Sequence, residues 1–315
     1  METNTNPMSD GRPAFVFVHG AWHSSATWQK VIALLETRRF VARALDLPGA
    51  GVHAKVPKAY AERPLDLAAF ATEPSPNAAV TQDERTRAVV SLIDKLGGPV
   101  VLVGHSLGGL TISAAAEAIP DRLRAVVYVS AFLLPPGMPA AAMRRHETMG
   151  QSLLPALFLA DPAVVKAFRL DPRSEDADYR ARLRTALAGD LTEADFDASL
   201  THLHCDEPAG VAQVPSPITP ERFGRVTRHY IRCLEDHAIP LDAQDFMITA
   251  LDGALGGRTH VRSLAASHSP FYSQPKLLAD LLADIADGRP KSSSKVTTTS
   301  VLTEEENDLC GPIDV

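Results

Sequence analysis

Three short runs, AFVFV (residues 14–18), PVVLVG (99–104) and LRAVVYVS (123–130), are apolar with almost no polar alternation. A strand with one wet face alternates, whereas a strand covered on both faces does not. These runs therefore predict inner strands of a sheet with a packed layer on each side. The segments between them carry helical periodicity. WQKVIALLETR (28–38) repeats apolar residues at helical spacing, with Ser25 or Thr27 as its candidate cap. Thr81-Gln82-Asp83-Glu84 is a capping-box pattern ahead of RAVVSLIDKLG (87–97). LGGLTISAAAEAI (107–119) reads as a helix of small residues. FVARALDLPGAG (40–51) predicts a second strand ending in a Pro-Gly turn, and residues 52–80 read as a long surface loop. Strands and helices thus alternate. The fold class this predicts is α/β, a mainly parallel sheet of about six strands with helices on both faces.

The alternation stops near residue 132. Residues 132–225 are helix-rich but irregular, with LLPPGMP, DPAVVKAF and AQVPSPITPERFG, and read as a cap or lid inserted over the carboxyl edge of the sheet. The αβ pattern resumes in VTRHYIRCLEDHAIP (226–240), then a helix near 241–252, a strand at 258–265 and a last helix near 274–287. The expected organisation is a flexible lead (1–12), a core in two pieces (13–131 and 226–287), the cap insertion (132–225) and a disordered Ser/Thr-rich tail (288–315).

Gly104-His105-Ser106-Leu107-Gly108 joins a predicted strand to a predicted helix. That is the context of a Gly-x-Ser-x-Gly nucleophile elbow, in which a strained turn lifts the serine hydroxyl above the sheet. Gly104 and Gly108 let the chains pass closely, and His105 sits inside the turn as a supporting residue. The alternative is a small residue filling a tight turn, and the strand before and helix after argue against it. A serine hydroxyl is a weak nucleophile and needs a base. In an elbow architecture the base follows the last strand, which selects His268 in LAASHSPFYSQP; His260 lies within that strand and reads as structural. The base needs an acid to fix its tautomer. Glu235, Asp236, Asp242 and Asp245 are the candidates. Asp236 is preferred, because it ends the strand HYIRC and precedes the turn into HAIP, whereas Asp242 and Asp245 read as early-helix acids. The oxyanion donors are expected to be the backbone N–H groups of Leu107, beside the nucleophile, and Ala21, after Gly20 in the first-strand loop His19-Gly20-Ala21-Trp22-His23. His19 and His23 have no acidic partner nearby in sequence, so they read as loop braces rather than metal ligands. The run His202-Leu203-His204-Cys205-Asp206-Glu207 invites a metal reading, and a polar helix terminus in the cap explains it as well.

FVFVHGAWHSSATW, VARALDLPGAG, VVLVGHSLGG, VVYVSAFLLPPG, RHYIRCLEDHAIP and ASHSPF occur in this order along the chain. Together they resemble the α/β-hydrolase superfamily, in its small esterase and hydroxynitrile lyase branch, which includes plant methyl esterases and bacterial esterases. The resemblance spans residues 14–287 apart from the cap. It implies a six-stranded sheet, Ser106 as nucleophile, His268 as base, Asp236 as acid, and Ala21 and Leu107 as oxyanion donors. Lyases of the branch carry a threonine after the first-loop histidine and a lysine after the catalytic histidine. Here those positions hold Gly20 and Ser269, which disfavours lyase chemistry.

The expected activity is therefore hydrolysis of carboxylic esters, with a bulky ester or a lactone as substrate given the length of the cap, and without metal or organic cofactor. The alternatives are a hydroxynitrile lyase-like enzyme and a non-catalytic small-molecule receptor on the same scaffold. Charge excludes other classes. The chain carries 31 Lys and Arg against 38 Asp and Glu, a net charge of −7, which disfavours nucleic-acid binding. No apolar run approaches a membrane span, the first residues lack a secretory pattern, and Cys205, Cys233 and Cys310 are too scattered for a disulfide framework, so a cytoplasmic location is expected.

Overall fold

The computed structural model describes residues 11–289. The flexible lead and the polar tail expected at the two ends lie outside the described residues, apart from 11–12 and 288–289. The central sheet has six parallel strands: β1 (Ala14–Val18), β2 (Ala42–Ala44), β3 (Val100–Ser106), β4 (Leu123–Ala131), β7 (Arg228–Cys233) and β8 (His260–Leu264). Their order across the sheet is β2-β1-β3-β4-β7-β8. A separate two-stranded antiparallel sheet pairs β5 (Ala167–Arg169) with β6 (Asp206–Pro208).

The apolar runs behave as their lack of alternation predicts. Phe15, Phe17, Val101, Val103, Val127 and Val129 enter one core with helices Gln29–Glu36 and Pro275–Ala286. Their neighbours Val16, Val18, Val100, Leu102, Val126 and Tyr128 enter a second core with helices Gln82–Leu96 and Gly108–Ala118. Thr81 forms the predicted capping box with Glu84, and Gly97 ends that helix in the left-handed conformation.

Four local expectations need correction. The second strand is only three residues long, because it is an edge strand whose Arg43 faces solvent. Residues 52–80 contain two short helices, Lys58–Ala61 and Leu67–Thr72, the second capped by the Asp66 carboxylate. Neither Ser25 nor Thr27 caps the first long helix. Ser25–Trp28 forms a tight helical turn of its own, and the Ser25 N–H is taken by Asp46 (2.7 Å). Finally, residues 206–207 of the His202–Glu207 run are in a buried strand, not at a helix terminus.

Residues 132–225 share the second core. Met143, Met149, Leu154 and Leu157 are buried in it, whereas Met138 and Phe158 are half-buried and Leu153 is exposed. Two buried ion pairs hold the strand Asp206–Pro208, one from within this segment and one from the core. Arg169 grips Asp206 with two 2.7 Å bonds, and Arg85 of helix Gln82–Leu96 meets Glu207 at 2.5 Å. Removing one partner of such a pair costs about 3–5 kcal/mol, because the other charge is stranded in a dry interior. Among the described residues no helix is long and apolar enough to cross a membrane.

Candidate active site

Strand order reverses between β1 and β3: the chain leaves β1 toward β2 on one side and β3 toward β4 on the other. A parallel sheet opens a crevice at the carboxyl ends of the two strands flanking such a reversal. Ser106 is the last residue of β3, and the His19-Gly20-Ala21 loop follows β1. Ser106 has φ of +52°, the left-handed conformation expected of a strained elbow. The helix Gly108–Ala118 starts two residues later and aims its N-terminus at the same place.

The close approach explains two glycines. A Cβ on Gly20 would stand 2.7 Å from the Ser106 Cβ and 2.8 Å from the His105 ring. A Cβ on Gly108 would stand 2.5 Å from the His19 carbonyl oxygen. Any side chain at either position forces β1's loop away from the elbow. Gly104 leaves room for Ile112 on the helix that follows.

Three residues far apart in sequence meet at the elbow. His268 Nε2 lies 2.9 Å from Ser106 Oγ, and His268 Nδ1 lies 2.6 Å from Asp236 Oδ2. All three are buried. Asp236 is saturated with donors. Its Oδ1 accepts the N–H groups of Ala238 (2.7 Å) and Ile239 (2.8 Å), and its Oδ2 also accepts the Ser130 hydroxyl. The other acid candidates sit elsewhere. Glu235 is exposed, Asp245 pairs with Arg232, and Asp242 lies in the first turn of helix Leu241–Leu255. His260 is exposed on β8, stacked on His229.

The supporting histidines hold backbone. His19 Nδ1 bonds the Gly20 carbonyl (2.9 Å) while its Nε2 accepts the Leu47 N–H (3.2 Å). His23 Nδ1 bonds the Ala21 carbonyl (2.8 Å). His105 Nε2 donates to the His268 carbonyl (2.9 Å). Burial pushes the pKa of His19 down to about 4 and that of His23 down to about 3, and it pulls that of His105 well below the ordinary histidine value, with His268 adding to the shift. All three are neutral near pH 7. They brace the loops without adding charge beside the serine.

Leu107 follows Ser106 in the chain and Ala21 follows Gly20, which packs against the Ser106 Cβ; among the described residues, neither backbone N–H donates to another backbone group. The residue after Ala21, Trp22, is in a left-handed conformation (φ +62°) and bonds to the β5–β6 region. Its Nε1–H donates to the Phe168 carbonyl (2.7 Å), its carbonyl accepts the His204 N–H (2.7 Å), and its N–H reaches Glu207 Oε2 (3.4 Å). This accounts for the run that invited a metal reading. His204 Nε2 accepts the Gly51 N–H, and Asp206 and Glu207 are committed to arginines. Among the described residues no group of His, Cys, Asp and Glu is placed to hold a metal ion.

Sequence reasoning missed Ser130, Glu207, Arg85 and Tyr230. Ser130 had a signal, a hydroxyl ending an otherwise apolar strand. Tyr230 locks the end of β4 by bonding both the N–H and the carbonyl of Ala131. The Arg85–Glu207 pair joins residues 122 apart and leaves no local trace.

Comparison with known proteins agrees with this architecture. The model of the alpha/beta hydrolase family matches residues 15–281. A pyrethroid hydrolase of Sphingobium wenxiniae is 29% identical over 280 residues, covering 86% of this chain and 87% of that protein. Methylesterase 7 of Arabidopsis thaliana is 28% identical over 278 residues, covering 87% of this chain and 96% of the relative. The solved structure of a pyrethroid hydrolase from Sphingobium faniae superposes with a TM-score of 0.69 at 26% identity, covering 87% of this chain and 97% of that one. The chain belongs to the alpha/beta hydrolase family.

Proposed function

We propose that the protein is a serine hydrolase that cleaves carboxylic esters through an acyl-enzyme on Ser106. The observation that carries this reading is the continuous relay from Asp236 through His268 to Ser106, built at the crevice between β1 and β3. Ester-cleaving relatives support the same class. His268 Nε2 takes the Ser106 proton as Oγ attacks the ester carbonyl. Asp236 holds the ring with its proton on Nδ1 and stabilises the imidazolium that forms. The oxyanion of the tetrahedral intermediate sits between the Ala21 and Leu107 N–H groups. Its collapse breaks the C–O bond, and the imidazolium protonates the departing alcohol. Water then loses a proton to the same nitrogen and attacks the acyl carbonyl. Ser106 leaves with that proton restored, and the acid is released.

Residues 132–225 serve as the cap in this reading. Most of their apolar side chains pack inward, so substrate choice falls to the few left open. Phe158 is one of these, its ring centroid 6.3 Å from that of Trp22 in the oxyanion loop. The substrate class is a carboxylic ester or lactone larger than an acetate. Lyase chemistry is disfavoured on the same geometry. The position after His268 is Ser269, buried and neutral, so a departing cyanide meets no cation there. Mass spectrometry after brief mixing with p-nitrophenyl acetate tests the acyl-enzyme. One acetyl group is expected on the peptide containing Ser106. Acetylation spread over lysines with none on Ser106 overturns the reading.

Glu207 has a positioning role in this mechanism. It links the buried Arg85 to the Trp22 N–H, one residue from the Ala21 donor. Loss of an oxyanion donor costs about 10²–10³ in kcat, and displacing one costs part of that. Glu207→Gln keeps an acceptor for Trp22 but strands the Arg85 charge, so the loop shifts. kcat is expected to fall about 10- to 100-fold with KM little changed. A folded Glu207→Gln protein with the wild-type kcat removes Glu207 from this role.

A further inference from the structure

A cavity lies at the opposite edge of the sheet from Ser106. It measures about 490 Å³ and opens where the amino ends of β4, β7 and β8 meet the end of helix Pro275–Ala286. Its charged and titratable lining is Arg124, Arg262, Arg289, His229 and His260, with no carboxylate among the lining residues. In a chain with a net charge of −7, a cavity lined by three guanidiniums runs against the overall balance.

Nearby acids neutralise only part of this. Arg289 is shared with Asp284 (3.8 Å) and Asp287 (3.4 Å). Among the described residues, Arg124 and Arg262 have no carboxylate within 4.0 Å, although Asp284 is close enough to act on Arg262 through its charge. Arg262 donates one N–H to His229 Nδ1 (3.2 Å) and another to the Arg289 carbonyl (3.3 Å). Accepting at Nδ1 fixes His229 as neutral with its proton on Nε2. Burial and the Arg262 charge act the same way, lowering its pKa to about 4. The His229 ring stacks on His260 at 5.0 Å, and the two residues are paired across β7 and β8. Arg124 rests its guanidinium against Gly288, 3.5 Å from where a Cβ would stand. The cavity is therefore lined by two guanidinium groups without carboxylate partners among the described residues and by a neutral imidazole. Guanidinium forks match the oxygens of a phosphoryl group in geometry as well as charge.

We propose that this cavity binds a phosphoryl dianion, with Arg124 and Arg262 as its ligands and His229 as a neutral donor. The site lies at the edge away from the catalytic crevice and does not depend on the esterase reading.

The test is calorimetric titration of the full chain with inorganic phosphate at constant ionic strength set with sodium chloride, alongside thermal melting. Saturable one-to-one binding and a rise in melting temperature are expected. Arg124→Gln and Arg262→Gln are each expected to weaken binding at least tenfold and to leave p-nitrophenyl acetate turnover unchanged. Arg124 is exposed, so its variant keeps the test clean if Arg262→Gln destabilises the fold. Absence of saturable phosphate binding overturns the proposal, as does binding that survives the double variant. Loss of turnover in Ser106→Ala with phosphate binding intact separates this site from the catalytic one.

Discussion

Ser106→Ala is expected to lower kcat/KM for p-nitrophenyl acetate by about 10³-fold or more, with the fold and melting temperature preserved. The size of the effect follows from what remains after the substitution. Ala21 and Leu107 still offer N–H groups and the crevice still binds the ester, so turnover does not drop to the rate in water alone. What is lost is the covalent route. His268 has no hydroxyl to deprotonate, and Oγ is its one partner at Nε2 among the described residues. Alanine is tolerated structurally because it keeps the Cβ that packs against Gly20 and removes only the hydroxyl. It also inherits the left-handed φ of +52°. That conformation is costly for any residue with a Cβ, so the strain neither appears nor disappears. The experiment also separates the alternatives. A binding module on this scaffold gives equal background rates in both proteins. A lyase releases cyanide from mandelonitrile above background, and none is expected here. Equal ester turnover by the two proteins rejects the acyl-enzyme mechanism.

The sequence revealed the sheet and the relay for different reasons. The inner strands were readable because burial on both faces removes polar alternation, and Phe15 and Val16 enter opposite cores as that rule requires. The sequence pattern overextends β2 because an edge strand obeys a weaker rule. Its Arg43 sits in a pattern that also fits a loop. Ser106, Asp236 and His268 were selected by chain order and strand ends, features that topology imposes, and they lie within hydrogen-bond contact. Ser130 was missed although it touches Asp236, because the contact spans 106 residues and a hydroxyl at a strand end has many uses. The β5–β6 pair escapes sequence reading for a related cause. Its strands are three residues each and separated by two helices, so neither shows a period. In sequence the charges of Asp206 and Glu207 fit a polar helix terminus in the cap. Only the fold reveals that both are buried against arginines from distant segments.

Asp236→Asn is expected to lower kcat by about 10⁴-fold while leaving KM and the fold close to wild type. The hydrogen bonds around the carboxylate dictate this outcome. Oδ1 accepts two backbone N–H groups, from Ala238 and Ile239. An asparagine amide nitrogen placed there would face two donors, a repulsive arrangement in a dry interior. The side chain therefore keeps its oxygen at Oδ1 and puts its NH₂ at the Oδ2 position. Ser130 can rotate its hydroxyl and accept from that NH₂. His268 has one way to respond: its Nδ1 must accept, which moves the ring proton to Nε2. That proton then points at Ser106 Oγ, and the nitrogen meant to receive the serine proton is already protonated. The imidazolium formed later also loses its negative partner. Both effects act on the chemical step and neither alters the residues that would bind the ester, so the loss falls on kcat. NMR of the imidazole nitrogens checks the cause directly: the proton is expected on Nδ1 in wild type and on Nε2 in Asp236→Asn. A variant within tenfold of wild-type kcat means that another acid orients His268. Glu235, one residue away and exposed, is then the residue to substitute next.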